Sequence, residues 1–239
     1  VAVLGLVGVA SLMLLPLPPD IGSRIPAISD WPPSALKALL LLNPALLVIV
    51  MAMIGAALAH RVGLGSLVAG TASRRGGAGT LARCAVSGGA LGIGLAAVDA
   101  LILPHLGEAG QRLSSTSASG GLALAVGVWY GGLAEEVMLR WGSMSLVAWG
   151  LSSLPGWRRK HFAIAMAAVV AAGLFAAAHL PALAAHVELT PLVVARTLLL
   201  NGVAGLVYGW LFWRHHLEAA MASHSATHLG LWTWRELMP

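Results

Sequence analysis

The chain has 239 residues, of which 58% are hydrophobic and only 10% charged, with a mean hydropathy of +0.85. An ordinary soluble domain carries roughly 25% charged residues, so the composition excludes one and specifies a polytopic membrane protein. The net charge of +5 is small and reads as loop lysines and arginines that orient spans, so no nucleic-acid partner is expected.

Taken in order, residues 1–17 are an apolar run ending in Pro16-Leu-Pro-Pro19. They read as a first span rather than a signal peptide, because no small-residue cleavage site follows directly and further spans come after. Residues 18–35, proline-rich and carrying Asp20, Arg24 and Asp30, are expected to form a loop. A second span covers about 36–60, with a kink at Pro44. The loop 61–80 holds Arg61, Arg74 and Arg75, and a third span covers about 81–104. Asp99, near its far end, is either an interfacial residue or a partner of a polar site. Cys84 is the single cysteine, which rules out an intramolecular disulfide or a cysteine metal cluster and suits a small core residue.

A polar loop is expected at 105–118. The apolar stretch from Gly120 to Leu154 is too long for one perpendicular helix at about 1.5 Å per residue. It has to tilt, break near Gly131-Gly132, or extend beyond the lipid. The cluster Trp157-Arg-Arg-Lys160 ends it, and spans follow at about 161–185, 189–213 and 217–237. Arg214-His-His216 separates the last two, and Trp232 and Trp234 suit the interfacial aromatic belt. Gly127/Gly131 and Gly205/Gly209, each spaced by four, permit close helix approach.

The expected fold is an all-α transmembrane helix bundle of about seven spans, eight being the alternative, around a polar intramembrane cavity. Residues 1–118 supply N-terminal spans and 119–239 a catalytic core, in one integral-membrane domain. Lysines and arginines concentrate in the loops 61–80, 155–160 and 214–216, which the positive-inside rule places in the cytoplasm. With seven spans the N-terminus is then inside and the C-terminus outside.

Charged groups inside lipid-compatible sequence cost a few kcal/mol each and mark function. Glu135, Glu136 and Arg140 interrupt the fourth span. Glu136 and Arg140, four apart with the acid first, share a helix face and can pair; Glu135, turned by about 100°, is free to face something else. Glu136 and Arg140 thus read as support and Glu135 as the chemical group. Phe175 and His179 share a face of the fifth span, and His224 and His228 a face of the seventh. His161, His186, His215 and His216 fall at span ends, where solvated interfacial roles are expected.

A carboxylate beside histidines in a partly dry pocket can deprotonate water, and a histidine pair can stabilise an oxyanion, which is amide hydrolysis. Ser223 and Ser225 lack a nucleophile-elbow context. Zinc is the rival: His224 and His228 have ligand spacing, and His179 and Glu135 would complete four donors, although Ser225 stands where a His-Glu-x-x-His motif has its glutamate. A non-enzymatic alternative is a transporter or immunity-type binding protein whose acid and histidines carry protons or hold a partner.

Glu135-Glu136-x-x-x-Arg140, Phe175-x-x-x-His179 and His224 with a polar residue four on, in this order on successive spans, resemble the CAAX protease and bacteriocin-processing (Abi) family of intramembrane endopeptidases. The resemblance covers about 120–225 best. It implies a helical membrane fold with a conical cavity, in which Glu135 and His179 activate water, His224 stabilises the oxyanion, and Glu136 and Arg140 brace the site. The family's third motif usually ends in asparagine, whereas this chain has His228, which can donate a hydrogen bond but can also bind metal. The implied activity needs no cofactor, with zinc or another divalent metal as the alternative. The implied substrate is a membrane-associated, in some cases lipidated, peptide or protein, and the expected setting is a bacterial or archaeal cell membrane.

Overall fold

The computed structural model describes residues 1–17, 28, 30–72, 77–116, 120–154 and 160–238. Pro18, Pro19, Asp20, Arg24, Arg74, Arg75 and Trp157-Arg-Arg159, named above for loops and topology, lie outside these residues.

Every regular element among the described residues is a helix. The helices are α1 (Ala2–Ser11, continued by a 3₁₀ turn Leu12–Leu14), α2 (Pro33–Leu58, with a 3₁₀ turn Ala59–Val62) and α3 (Gly77–Ile102, with a 3₁₀ turn Leu103–Leu106). They continue with α4 (Glu108–Thr116), α5 (Gly120–Ser152), α6 (Lys160–Ala184), α7 (Pro191–Arg214) and α8 (Leu217–Leu237). Each of the seven expected spans is helical. Pro33–Val62, Gly77–Leu106, Gly120–Ser152, His161–Ala184 and Pro191–Arg214 are long and apolar enough to cross a membrane. The first helix is apolar but short. The last is long enough at 21 residues but carries the polar side chains of the site. The protein is a multi-pass membrane helix bundle.

The lipid-compatible exterior and the core use the same residue types differently. Val86 and Leu101 point outward, while Trp141, Phe212, Met144 and Leu217 are fully enclosed. The Trp141 indole N–H donates to the Ala52 carbonyl at 3.1 Å, tying α5 to α2. Cys84 is buried, as expected. Pro44 lies inside α2 without ending it; Pro33 in the first turn is tolerated because its missing N–H would have had no intrahelical partner.

Two expectations need correction. The segment 105–118 is not simply a loop: Glu108–Thr116 is helical. Its Ala109 and Leu113 stand four apart on one face, and Glu108 lies in the first turn, where a negative charge is favoured. His216 is not solvated. It is buried and serves as the N-cap of α8, its Nδ1 3.2 Å from the Ala219 N–H. His161, His186 and His215 are exposed, as expected.

The start of α8 is fixed further by Glu218, whose carboxylate accepts hydrogen bonds from Ser66 Oγ (2.5 Å), Leu67 N (2.9 Å) and Val68 N (3.0 Å). Helix α8 also lies parallel to α3, in contact through glycine. Gly88 sits against the Ser223 backbone and Gly92 against that of Thr227, so a methyl group at either would collide with a carbonyl. Thr227 Oγ1 bridges the pair by donating to Gly88 O at 3.1 Å. The helix that carries His224 and His228 is therefore held along its length by α3.

Candidate active site

Helix α5 is continuous through Gly131-Gly132 but is not an ordinary α-helix. Gly127–Glu135 and Val137–Met144 wind with the wider π turn, on either side of Glu136. Such segments are rare and are found at functional sites. Gly132 has no side chain and leaves room for Ser225, whose Oγ donates to the Val128 carbonyl at 2.9 Å. Gly127 and Gly131 face the His228 ring, and Gly131 also faces His224 Nε2; a Cβ at Gly131 would stand 2.7 Å from His228 Nε2 and 3.1 Å from His224 Nε2. The glycines thus make a hollow in front of the imidazoles rather than a break.

Glu136 and Arg140 are both completely buried. Glu136 Oε2 lies 3.4 Å from Arg140 Nε, close enough for ion pairing but not aligned as a hydrogen bond. The guanidinium donates to Gly205 O at 3.1 Å and lies over the rings of Phe175 (4.8 Å) and Tyr208 (5.3 Å). Charge, hydrogen bond and two aromatic faces together compensate its removal from water.

His224 is held from several sides. Its Nδ1 lies 2.8 Å from Glu136 Oε1, and its ring stacks on Tyr208 at 4.3 Å between centroids. Phe175 meets it edge-on at 5.5 Å. Its Nε2 is 3.8 Å from Glu135 Oε2, and the Glu135 side chain retains 19% exposure where Glu136 retains none. His228 stacks on His224 one turn along α8, with centroids 5.2 Å apart. His179 meets the other side of Phe175 at 4.8 Å, and its Nδ1 lies 2.8 Å from the Phe175 carbonyl. A carbonyl only accepts, so Nδ1 carries the proton and a neutral His179 presents a lone pair at Nε2.

The seven residues singled out in the sequence thus form one cluster. Glu135 contacts His224; Glu136 and Arg140 brace it from beneath; Phe175 links His179, His224 and Arg140. Tyr208 was missed. It is one of only two tyrosines, fully enclosed, and a hydroxyl-bearing aromatic in an apolar span was the available signal. Asp99 does not join the cluster; it pairs with Arg196. Of the two glycine pairs, Gly205 and Gly209 take α7 against Ala172 and Ala168 of α6.

Among the described residues, no three His, Cys, Asp or Glu side chains stand at metal-holding spacing. The four residues considered as zinc donors are near one another but do not form such a set. An apolar cleft of about 300 Å³, lined by Val1, Met53, Trp141 and neighbours, involves none of the cluster side chains.

No curated protein and no solved structure matches the chain. Residues 117–230 match the family described as type II CAAX prenyl endopeptidase Rce1-like, a segment that contains every residue of the cluster. This segment, a little under half of the chain, is similar to the Rce1-like family of type II CAAX prenyl endopeptidases.

Proposed function

We propose that the protein is an intramembrane endopeptidase that hydrolyses a peptide bond of a membrane-associated, lipidated peptide or protein, with water as the nucleophile. One observation carries the reading: within the family-matched segment, a partly exposed Glu135 carboxylate stands 3.8 Å from Nε2 of a histidine that is otherwise locked in place.

Glu135 takes a proton from water, assisted by the lone pair of His179 Nε2, and the hydroxide adds to the scissile carbonyl. The oxyanion accepts a hydrogen bond from His228 and from His224. For His224 to donate from Nε2 it must carry protons on both nitrogens, because Nδ1–H is committed to Glu136; the Glu136 carboxylate then balances the imidazolium. Collapse of the tetrahedral adduct breaks the C–N bond, and the proton held by Glu135 passes to the departing amine. Phe175, Tyr208 and Arg140 keep the rings from turning.

The test is mass spectrometry of membrane proteins and lipidated peptides incubated with purified native protein or with Glu135→Gln. Fragments unique to the native protein are expected. Equal fragmentation by both proteins removes Glu135 from the chemistry.

A second reading, zinc-dependent hydrolysis, draws on one feature. A histidine whose Nδ1 is held by a carboxylate, as His224 is by Glu136, is the arrangement found behind metal-bound imidazoles. With no convergent donor set, no step is assigned to a metal. Stoichiometric zinc in active protein, with activity lost on chelation, would establish this reading instead.

A further inference from the structure

Helix α5 brings one more polar side chain to Glu135. Tyr130 lies in the widely wound run Gly127–Glu135, where hydrogen bonds join residues five apart and so make them neighbours on one side of the helix. Tyr130 and Glu135 have that spacing, and the Glu135 carboxylate is close enough to bear on the Tyr130 phenol electrostatically. An ordinary α-helix would turn five residues through about 500°, leaving the two side chains about 140° apart. The wide winding brings them together.

Tyr130 is half-buried, with its ring packed against the core. Its hydroxyl makes no hydrogen bond among the described residues. Glu135 therefore stands between two groups. Gly131, four residues before it, faces His224 Nε2, which lies 3.8 Å from Glu135 Oε2; Tyr130, one residue further back, is turned to the other flank of the carboxylate. The other described hydroxyls around the cluster are committed or enclosed. Ser225 donates to Val128 O and Thr227 to Gly88 O, Ser223 is fully enclosed, and Tyr208 is enclosed behind His224.

The reaction leaves a task for a free hydroxyl at that flank. Addition of hydroxide gives a tetrahedral adduct whose oxyanion is turned toward His224 and His228, so its nitrogen, at another corner of the same carbon, is turned away from them. An amide anion is too basic to depart, and the nitrogen must gain a proton as the C–N bond breaks. That proton is held by Glu135, and Tyr130 lies on the side of Glu135 away from the histidines.

Resting on the proteolytic reading above, we propose that Tyr130 is a catalytic residue that delivers the proton to the departing amine. As the C–N bond breaks, its electron pair stays on nitrogen and takes the phenol proton, and the phenol oxygen takes the proton that Glu135 drew from water. Glu135 ends as the carboxylate and Tyr130 as the neutral phenol. The products are an amine and a carboxylic acid.

The experiment compares two leaving groups. A peptide bearing a prenylated cysteine is incubated with native protein, and the bond cut is located by mass spectrometry. The same peptide is then made with an ester oxygen in place of the N–H of that bond. An alkoxide departs far more readily than an amide anion and calls less on an acid. Tyr130→Phe keeps the ring and loses the hydroxyl. It is expected to lower kcat for the amide about 100-fold, the scale of one general acid, with KM within about twofold, and to lower kcat for the ester less than about threefold. Turnover of the ester by the same preparation shows that the variant is folded.

An unchanged kcat for the amide overturns the proposal, as do equal losses for amide and ester or a loss confined to KM. In each of these cases cleavage by the native protein leaves the proteolytic reading standing. Failure of the native protein to cut the amide removes that reading, and the proton delivery with it.

Discussion

Nδ1 of His224 lies 2.8 Å from Oε1 of Glu136, across 88 residues of sequence. Glu136 thereby serves two cationic or polar partners at once, the imidazole on one oxygen and Arg140 on the other. Removing it would leave the buried guanidinium without a counter-charge. Glu136→Ala should destabilise the protein by about 3–5 kcal/mol, with Glu136→Gln, which keeps the hydrogen bond to His224, costing less. Unfolding in mixed detergent micelles, followed by loss of helical signal, measures both; a Glu136→Ala protein as stable as the native one contradicts the bracing role.

Gly131 and Gly173 make a matched pair. A Cβ at Gly173 meets nothing within 4 Å, so Gly173→Ala should be neutral or stabilising by up to about 1 kcal/mol through helix propensity. Gly131→Ala gains the same propensity but pushes a methyl group between the imidazole Nε2 atoms. Displacements of about 1 Å in a site can cost about 100-fold, and an activity loss of that order with retained thermal stability is expected. Equal activity of the two variants would show that the hollow at Gly131 is not used.

Tyr208 stacks on His224 and lies beneath Arg140. Tyr208→Phe keeps the ring and should retain activity. Tyr208→Leu should lower kcat by up to about tenfold, with little change in KM, given about 0.5–1.5 kcal/mol from such ring pairs. Steady-state kinetics on a lipidated peptide distinguish this from a substrate-binding role, which would raise KM.

His228→Asn restores the residue usual at this point of the family's third motif. If His228 acts as a hydrogen-bond donor, the asparagine amide should substitute and activity should stay within about tenfold, whereas His228→Leu loses more. Metal content measured on the same preparations adds a second readout. A zinc content that falls with His228→Asn, in parallel with activity, would place His228 among metal ligands instead.

The spans could be read because the bilayer imposes one simple rule, long apolar runs broken by proline, glycine and charge. The pairings at i, i+4 were also readable: Glu136 with Arg140, Phe175 with His179, His224 with His228. Contacts between helices were not. Nothing local in Glu136 names His224, and nothing in Asp99 names Arg196; both depend on which helices are neighbours, which hydropathy does not encode. Helix α4 was missed because a short polar segment between spans has the composition of a loop. The wide winding of α5 was missed because helical periodicity assumes 3.6 residues per turn.

The glycine seam between α3 and α8 ties the helix bearing His224 and His228 to a part of the chain outside the family-matched segment. Expressed without residues 1–116, α8 would expose to lipid the backbone carbonyls of Ser223 and Thr227 that now lie against Gly88 and Gly92. Two fragments produced together, divided between α4 and α5, should find each other through this seam and restore by complementation what neither has alone.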